Sequence, residues 1–144
     1  MSATPLVRIT SHAHFSAAHR LHNEGRDAEW NRRVFDKCNN PHGHGHTYGL
    51  EVTVEGPVDP DRGWILDFAD LKRIVSDRVI RVCDRKNLNT DVAFLAGVNP
   101  TAENIAVKVW EQLEAEVAPA RLVRIVLHET ERNKVVFTGP ARQR

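Results

Sequence analysis

The segment TYGLEVTVE, residues 47–55, has the clearest strand pattern in the chain. Its apolar side chains occupy every second position: Tyr48, Leu50, Val52 and Val54. Such alternation is typical of a strand that buries one face and exposes the other. Looser alternation over residues 7–16 predicts a strand before it, and residues 123–128 and 134–138 predict two more after it.

Two segments between the second and third strands have the three- and four-residue spacing of amphipathic helices. Asp67 begins the first, whose apolar stripe is Phe68, Leu71, Val75, Val79 and Val82. Pro100 and Thr101 begin the second, whose stripe is Ile105, Val109, Leu113 and Val117. The order strand, strand, helix, helix, strand, strand predicts an α+β fold with an antiparallel sheet and both helices on one face.

The 144 residues predict a single domain, 1–144. A net charge of +1 gives no reason to expect nucleic acid or a membrane surface as a partner. The first ten residues lack the apolar segment of a signal peptide, so we expect a cytoplasmic protein. Phosphate-cradling glycine motifs are absent from the sequence, which argues against a bound nucleotide cofactor.

Seven of the eight histidines lie between His12 and His46. Within this cluster, His44 and His46 are two residues apart beside the strand at 47–55, so both imidazoles are expected on one face. His19, expected just past the end of the first strand, is a candidate third ligand. Three histidines with an open fourth position are typical of catalytic zinc. The alternative is that these are loop histidines without a special role.

Cys38 precedes the histidine pair and follows Lys37. A thiol near a metal and a lysine would be partly ionised and could act as a base or nucleophile. It could equally be a fourth zinc ligand or a buried inert thiol, and the spacing does not separate these three readings. Cys83 ends a helical stripe and is expected to be a packed core residue.

Three other polar features can be interpreted from the residues alone. Asp84 and Arg85 belong to a charged segment that is expected to be a solvated helix end. Glu129 follows the third long strand and is expected to be exposed at the sheet end. Residues 22–41 form a polar excursion of a length that is usually functional or partly helical.

Six motifs in order carry a resemblance. They are FSAAHRL (15–21), CNNPHGHGH (38–46), GWILDF (63–68), DRKNLN (84–89), PTAEN (100–104) and ET (129–130). Together they resemble the 6-pyruvoyltetrahydropterin synthase family, which also holds the 6-carboxytetrahydropterin synthases of queuosine biosynthesis. The resemblance extends from about residue 9 to about residue 139.

The resemblance implies the T-fold, a four-stranded antiparallel sheet with two helices packed on one face. It implies trimeric barrels that stack as homohexamers (dimers of trimers), with active sites at subunit interfaces. The implied substrate is 7,8-dihydroneopterin triphosphate, and the implied reaction is an internal rearrangement with loss of triphosphate, as in tetrahydrobiopterin biosynthesis. Such a lyase needs no nicotinamide or flavin.

The resemblance also assigns roles to residues. The implied Zn²⁺ ligands are His19, His44 and His46. Cys38 would be the general base, and Glu129 would hold the pterin ring, where a carboxylate accepts two N–H donors side by side. Thr101 and Glu103 would lie near the pterin.

One position departs from the family pattern. The family loop reads Asp-His-Lys-Asn-Leu, and its histidine completes a triad with the cysteine and aspartate. Here Asp84 remains but Arg85 replaces the histidine, and arginine stays protonated at neutral pH. Arg85 could hold Cys38 as a thiolate, leaving an altered lyase; His42 could replace the proton relay. Alternatively, the chain is a non-catalytic zinc- and pterin-binding protein, or a zinc hydrolase.

Overall fold

The structure, a computed structural model, describes residues 4–141. Five strands form one sheet in the order β3-β1-β2-β4-β5. They are β1 (Leu6–His19), β2 (His44–Pro57), β3 (Lys86–Asn87), β4 (Arg121–His128) and β5 (Lys134–Phe137). The four strands that the sequence predicts pair antiparallel, so the α+β prediction is confirmed. The two-residue β3 is an addition, and it pairs parallel to β1.

The helical segments lie in four parts of the chain. They are α1 (Ala28–Phe35) with a 3₁₀ turn (Asp36–Asn39), α2 (Phe68–Val75) continuing through a π turn (Ser76–Ile80) into α3 (Arg81–Cys83), a 3₁₀ turn (Ala93–Leu95), and α4 (Ala102–Leu113). Asp67 caps α2 by accepting a hydrogen bond from the Ala69 N–H. Thr101 caps α4 by accepting one from the Asn104 N–H. Both helix starts therefore lie where the sequence predicts them.

The alternation in β2 produces the core. Its four apolar side chains are at most 1% exposed, and they pack with residues of α2 and α4 that include Leu71, Val75, Ile105 and Val109. Burial of each such side chain contributes roughly 1.5–3 kcal/mol. The expectation for Phe68 was wrong, because this first residue of α2 is 62% exposed.

Several boundaries differ from the sequence prediction. His19 is not past the first strand but is its last residue, and β2 begins at His44 rather than Thr47. The excursion at 22–41 contains α1, and the segment after Cys83 contains β3, so neither is a simple loop. Within residues 4–141, no helix is both long and apolar enough to cross a membrane.

Candidate metal centre

Three histidines meet where β1 ends and β2 begins. His19 and His44 are direct partners in the antiparallel register, and His46 lies two residues along β2 on the same face. The Nε2 atoms of His19 and His44 are 3.2 Å apart. One ring nitrogen from each of the three residues lies within 4.8 Å of the other two. The strand pairing therefore places three imidazole donors around one point.

The hydrogen bonds around this point leave two ring nitrogens, one of His19 and one of His46, available to bind a metal. His19 Nδ1 lies 2.8 Å from the carbonyl oxygen of Pro100, which can only accept, so Nδ1 carries the proton and Nε2 keeps its lone pair. His46 Nε2 is buried and has no hydrogen-bond partner among the described residues. Buried polar atoms are rarely left unpaired, so a metal ligand role fits this nitrogen well.

Burial also favours the neutral imidazoles that bind metals. Burial lowers the pKa of His19, against a smaller opposing effect of the hydrogen bond to Pro100. Burial likewise lowers the pKa of His46, although the carboxylate of Glu129 acts in the opposite direction. Both side chains therefore remain neutral at lower pH than a free histidine, which suits them to bind a cation such as Zn²⁺.

Cys38 lies in the 3₁₀ turn after α1, and its carbonyl accepts a hydrogen bond from the Leu21 N–H at 2.8 Å. This bond ties the turn to the chain just beyond His19. Burial raises the pKa of the Cys38 thiol, and the carboxylates of Glu129 and Asp36 raise it further. Without a metal ion, the side chains of one chain therefore favour the neutral thiol of Cys38.

Asp84 and Arg85 both form hydrogen bonds to the edge of β1. The Asp84 carboxylate accepts a hydrogen bond from the Ser16 N–H at 2.9 Å, and the Arg85 N–H donates to the Ser16 carbonyl at 2.6 Å. The Arg85 side chain is 91% exposed, and its backbone has a φ of 60°, in the left-handed region. The Asp84 carboxylate is therefore engaged at Ser16, whereas the backbone of Cys38 is bonded to Leu21.

Three residues were expected near the substrate: Glu129, Thr101 and Glu103. They differ in how close they lie to the histidine triad (His19, His44 and His46). Glu129 Oε1 is 3.8 Å from His46 Nε2, and the Glu129 side chain is 29% exposed, so a carboxylate does lie beside the histidines. Thr101 directly follows Pro100, the partner of His19, but its hydroxyl is engaged in capping α4. Glu103 lies in the first turn of α4 and is exposed.

Sequence reasoning missed Tyr48 as a candidate for the site. Its ring centroid lies 5.5 Å from that of His46, and its buried hydroxyl has no partner among the described residues. Burial raises its pKa, and Glu129 and Cys38 add to the effect, so the hydroxyl remains protonated and can donate. A polar atom on the core face of a strand, two residues after His46, was the available signal.

These features define a class of protein: an α+β domain with a three-histidine centre that can hold a metal ion, beside a carboxylate. The family model described as 6-pyruvoyl tetrahydropterin synthase matches residues 8–140. The chain belongs to this family.

Two known proteins, one compared by sequence and one by structure, illustrate the relationship. The 6-pyruvoyl tetrahydrobiopterin synthase of Poecilia reticulata is 45% identical over 132 residues, covering 91% of this chain and 89% of its own length. The solved structure of Caenorhabditis elegans 6-pyruvoyl tetrahydropterin synthase has a TM-score of 0.89 at 37% identity and covers 97% and 100% of the two chains. The T-fold is thereby confirmed.

A further relative has a different printed activity. The dihydroneopterin monophosphate aldolase of Pyrococcus furiosus is 36% identical over 124 residues, covering 85% of this chain and 90% of its own length.

Proposed function

We propose that this protein is a zinc-dependent lyase that converts 7,8-dihydroneopterin triphosphate into a 6-substituted tetrahydropterin. The observation that carries the proposal is the three-histidine centre, in which the His19 tautomer and the unpaired His46 nitrogen both suit a bound cation. The names of the relatives at 37–45% identity support the substrate class. A zinc ion at this centre would act as a Lewis acid on the substrate's side-chain hydroxyls.

The protein's own groups would bind and move protons. Glu129, beside His46, would accept N–H groups of the pterin ring and so fix which part of the substrate reaches the centre. Cys38 would remove and return protons on the side chain, as a general base must. Burial and nearby carboxylates of the same chain raise the pKa of Cys38. Formation of the thiolate therefore needs positive charge that this chain's own side chains do not supply. Thr101 and Glu103 would line the pterin side of the site.

Asp84 and Arg85 would act on a neighbouring copy. The Asp84 carboxylate is bonded to Ser16 at the β1 edge, whereas the Cys38 backbone is bonded to Leu21, so we infer that a second chain supplies Asp84 and Arg85 to the cysteine. This supports the proposal of a homohexamer with active sites between subunits. Arg85 would then stabilise the thiolate of the partner's cysteine by charge, because a guanidinium cannot pass on a proton at neutral pH.

The second candidate is a zinc- and pterin-binding protein without this activity, and Arg85 is the observation that favours it. Mass spectrometry of products formed from 7,8-dihydroneopterin triphosphate separates the two. Loss of triphosphate alone indicates the pyruvoyl product, and release of acetaldehyde as well indicates the carboxy product of the queuosine pathway. Because one relative is named as an aldolase on the monophosphate, that compound is assayed alongside.

Arg85→His is the informative variant in that assay. Turnover by the wild-type protein supports the lyase. No turnover by the wild type, with activity gained in Arg85→His, would show that the arginine has removed the chemistry and would leave the binding protein as the conclusion.

A further inference from the structure

The opposite face of the sheet carries a second group of histidines that the proposed function does not use. In β1, His12 and His14 point away from the core, because they alternate with the buried residues that end in His19. On the neighbouring strands, Glu51 and His128 lie on this same outer face. The register pairs His12 directly with Glu51. Three adjacent strands therefore contribute to one cluster: His12, His14, Glu51 and His128.

Two imidazoles converge on the two oxygens of one carboxylate. His128 Nε2 lies 2.6 Å from Glu51 Oε2, and His12 Nε2 lies 3.7 Å from Glu51 Oε1. The two histidines approach from the strands on either side of β2, so Glu51 is central. The hydrogen bond from His128 lowers the pKa of Glu51, which keeps the carboxylate ionised at neutral pH.

Gly49 leaves room between the strands at this point. It is paired with His14 on one side and with His128 on the other. A Cβ at position 49 would lie 3.4 Å from the His128 Cβ and 3.6 Å from its Cδ2, so the His128 ring lies over the glycine. A cavity of about 570 Å³ results, and all four members of the cluster line it.

We propose that His12, Glu51 and His128 form a second site, which binds a divalent first-row transition metal ion such as Zn²⁺. Two imidazoles and one carboxylate are a donor set that Zn²⁺, Fe²⁺ and Ni²⁺ accept, and the carboxylate supplies the negative charge. His14 lines the same cavity and offers a fourth donor. The site lies on the opposite face of the sheet from the triad, so the two ions would bind independently.

The geometry predicts that this second site is the weaker of the two. Within residues 4–141, only the triad has its three ligand atoms within 4.8 Å of one another. Binding at the outer face requires the His12 side chain, which is 66% exposed and free to rotate, to swing toward Glu51. Arg124 also acts electrostatically on Glu51, and its positive charge opposes a cation there. A chelator should therefore remove the outer ion first.

Zinc equilibrium dialysis of the full-length protein, with elemental analysis, tests the proposal. We expect two zinc ions per chain in the wild type and one in each of three single variants: His12→Gln, Glu51→Gln and His128→Gln. The double variant His44→Asn/His46→Asn should also bind one, now at the outer face. His42→Gln, an exposed histidine outside both clusters, is the matched control and should keep two.

The outcome that overturns the proposal is a wild-type stoichiometry of one, or a stoichiometry of two that survives both Glu51→Gln and His128→Gln. His12→Gln guards against misfolding, because its exposed side chain contributes little to the core. Cobalt substitution gives a second readout, since the visible absorption of protein-bound Co²⁺ in the double variant should disappear when Glu51→Gln is added. Absorption that persists unchanged would also contradict the site.

Discussion

His19 and His44 are paired residues at the joined ends of β1 and β2, and their Nε2 atoms lie 3.2 Å apart. Two neutral imidazoles gain little from such proximity alone, whereas a shared cation makes it favourable. The same pairing aligns β1 and β2 along their whole length, so the register that forms the core also forms the centre. Stability and metal binding should therefore be linked.

Metal removal should destabilise the protein. An ion that binds only the folded state adds about 4 kcal/mol to the free energy of unfolding at a thousand times its dissociation constant. We expect a chelator to lower the unfolding midpoint of the wild type and to have a much smaller effect on His46→Asn. His42→Asn is the control and should respond like the wild type. Equal chelator effects in all three proteins would argue against the triad as the main site.

The Tyr48 hydroxyl should contribute little to stability. It is buried and has no partner among the described residues, so Tyr48→Phe removes a desolvated group and should be neutral or stabilising, by about 1 kcal/mol. Thr10→Val is the contrasting variant, because it removes the partner of the buried Thr53 hydroxyl at 2.8 Å and should cost about 1 kcal/mol. Urea unfolding measures both.

If the Tyr48 hydroxyl binds substrate, Tyr48→Phe should also impair turnover, although the stability of the protein is retained. A clear loss of stability in Tyr48→Phe would show that the hydroxyl has a structural partner, and would remove this interpretation.

Arg85 should be replaceable by glycine with a gain in stability. A left-handed backbone costs a non-glycine residue roughly 1–2 kcal/mol, partly offset by the entropy that glycine loses on folding. With a φ of 60° and an exposed side chain, Arg85→Gly should stabilise the protein by up to about 1 kcal/mol. Lys86→Gly, one residue later in β3, should destabilise it. Thermal unfolding measures the stability of both variants. A loss of stability in Arg85→Gly would contradict the proposal that the backbone at position 85 is strained.

Acid should weaken the Glu51 cluster. The pKa of Glu51 lies below its ordinary value of 4.5, chiefly because of the His128 hydrogen bond, with His12 and Arg124 acting in the same direction. A lowered carboxylate pKa stabilises the fold above the unfolded value, and the benefit is lost as the pH falls through the folded value. Wild type should therefore be more stable than Glu51→Gln at about pH 7, with the difference shrinking as the pH falls through the folded pKa of Glu51. A difference independent of pH would show that the charge is irrelevant.

The period-two pattern was enough to predict the sheet and to place His44 and His46 on one face. It could not show that His19 ends β1, because that depends on how two strands pair across 25 positions of sequence. The length of the 22–41 segment indicated some helix, but the sequence pattern did not locate α1, because this helix is short and polar, although Asp27 caps it by accepting from the Trp30 N–H. Strand β3 is only two residues long and forms through contacts with β1, which no local pattern records.

The charged segment at Asp84 and Arg85 was also only partly predictable from the sequence. The sequence favoured a solvated helix end for Asp84, and the structure instead engages its carboxylate with the Ser16 backbone. A contact over 68 residues has no local signal. The family resemblance supplied the motif, but the bond between the Asp84 carboxylate and the Ser16 backbone became visible only in the folded chain.

The most direct test compares zinc-loaded and zinc-stripped protein with 7,8-dihydroneopterin triphosphate, following products by mass spectrometry. We expect the loaded protein to release triphosphate and to form a 6-substituted tetrahydropterin. We also expect stripping to abolish turnover, added zinc to restore it, and Cys38→Ala to be inactive while still binding zinc. Equal turnover with and without zinc, or full activity in Cys38→Ala, would rule out a zinc-dependent lyase with Cys38 as its base.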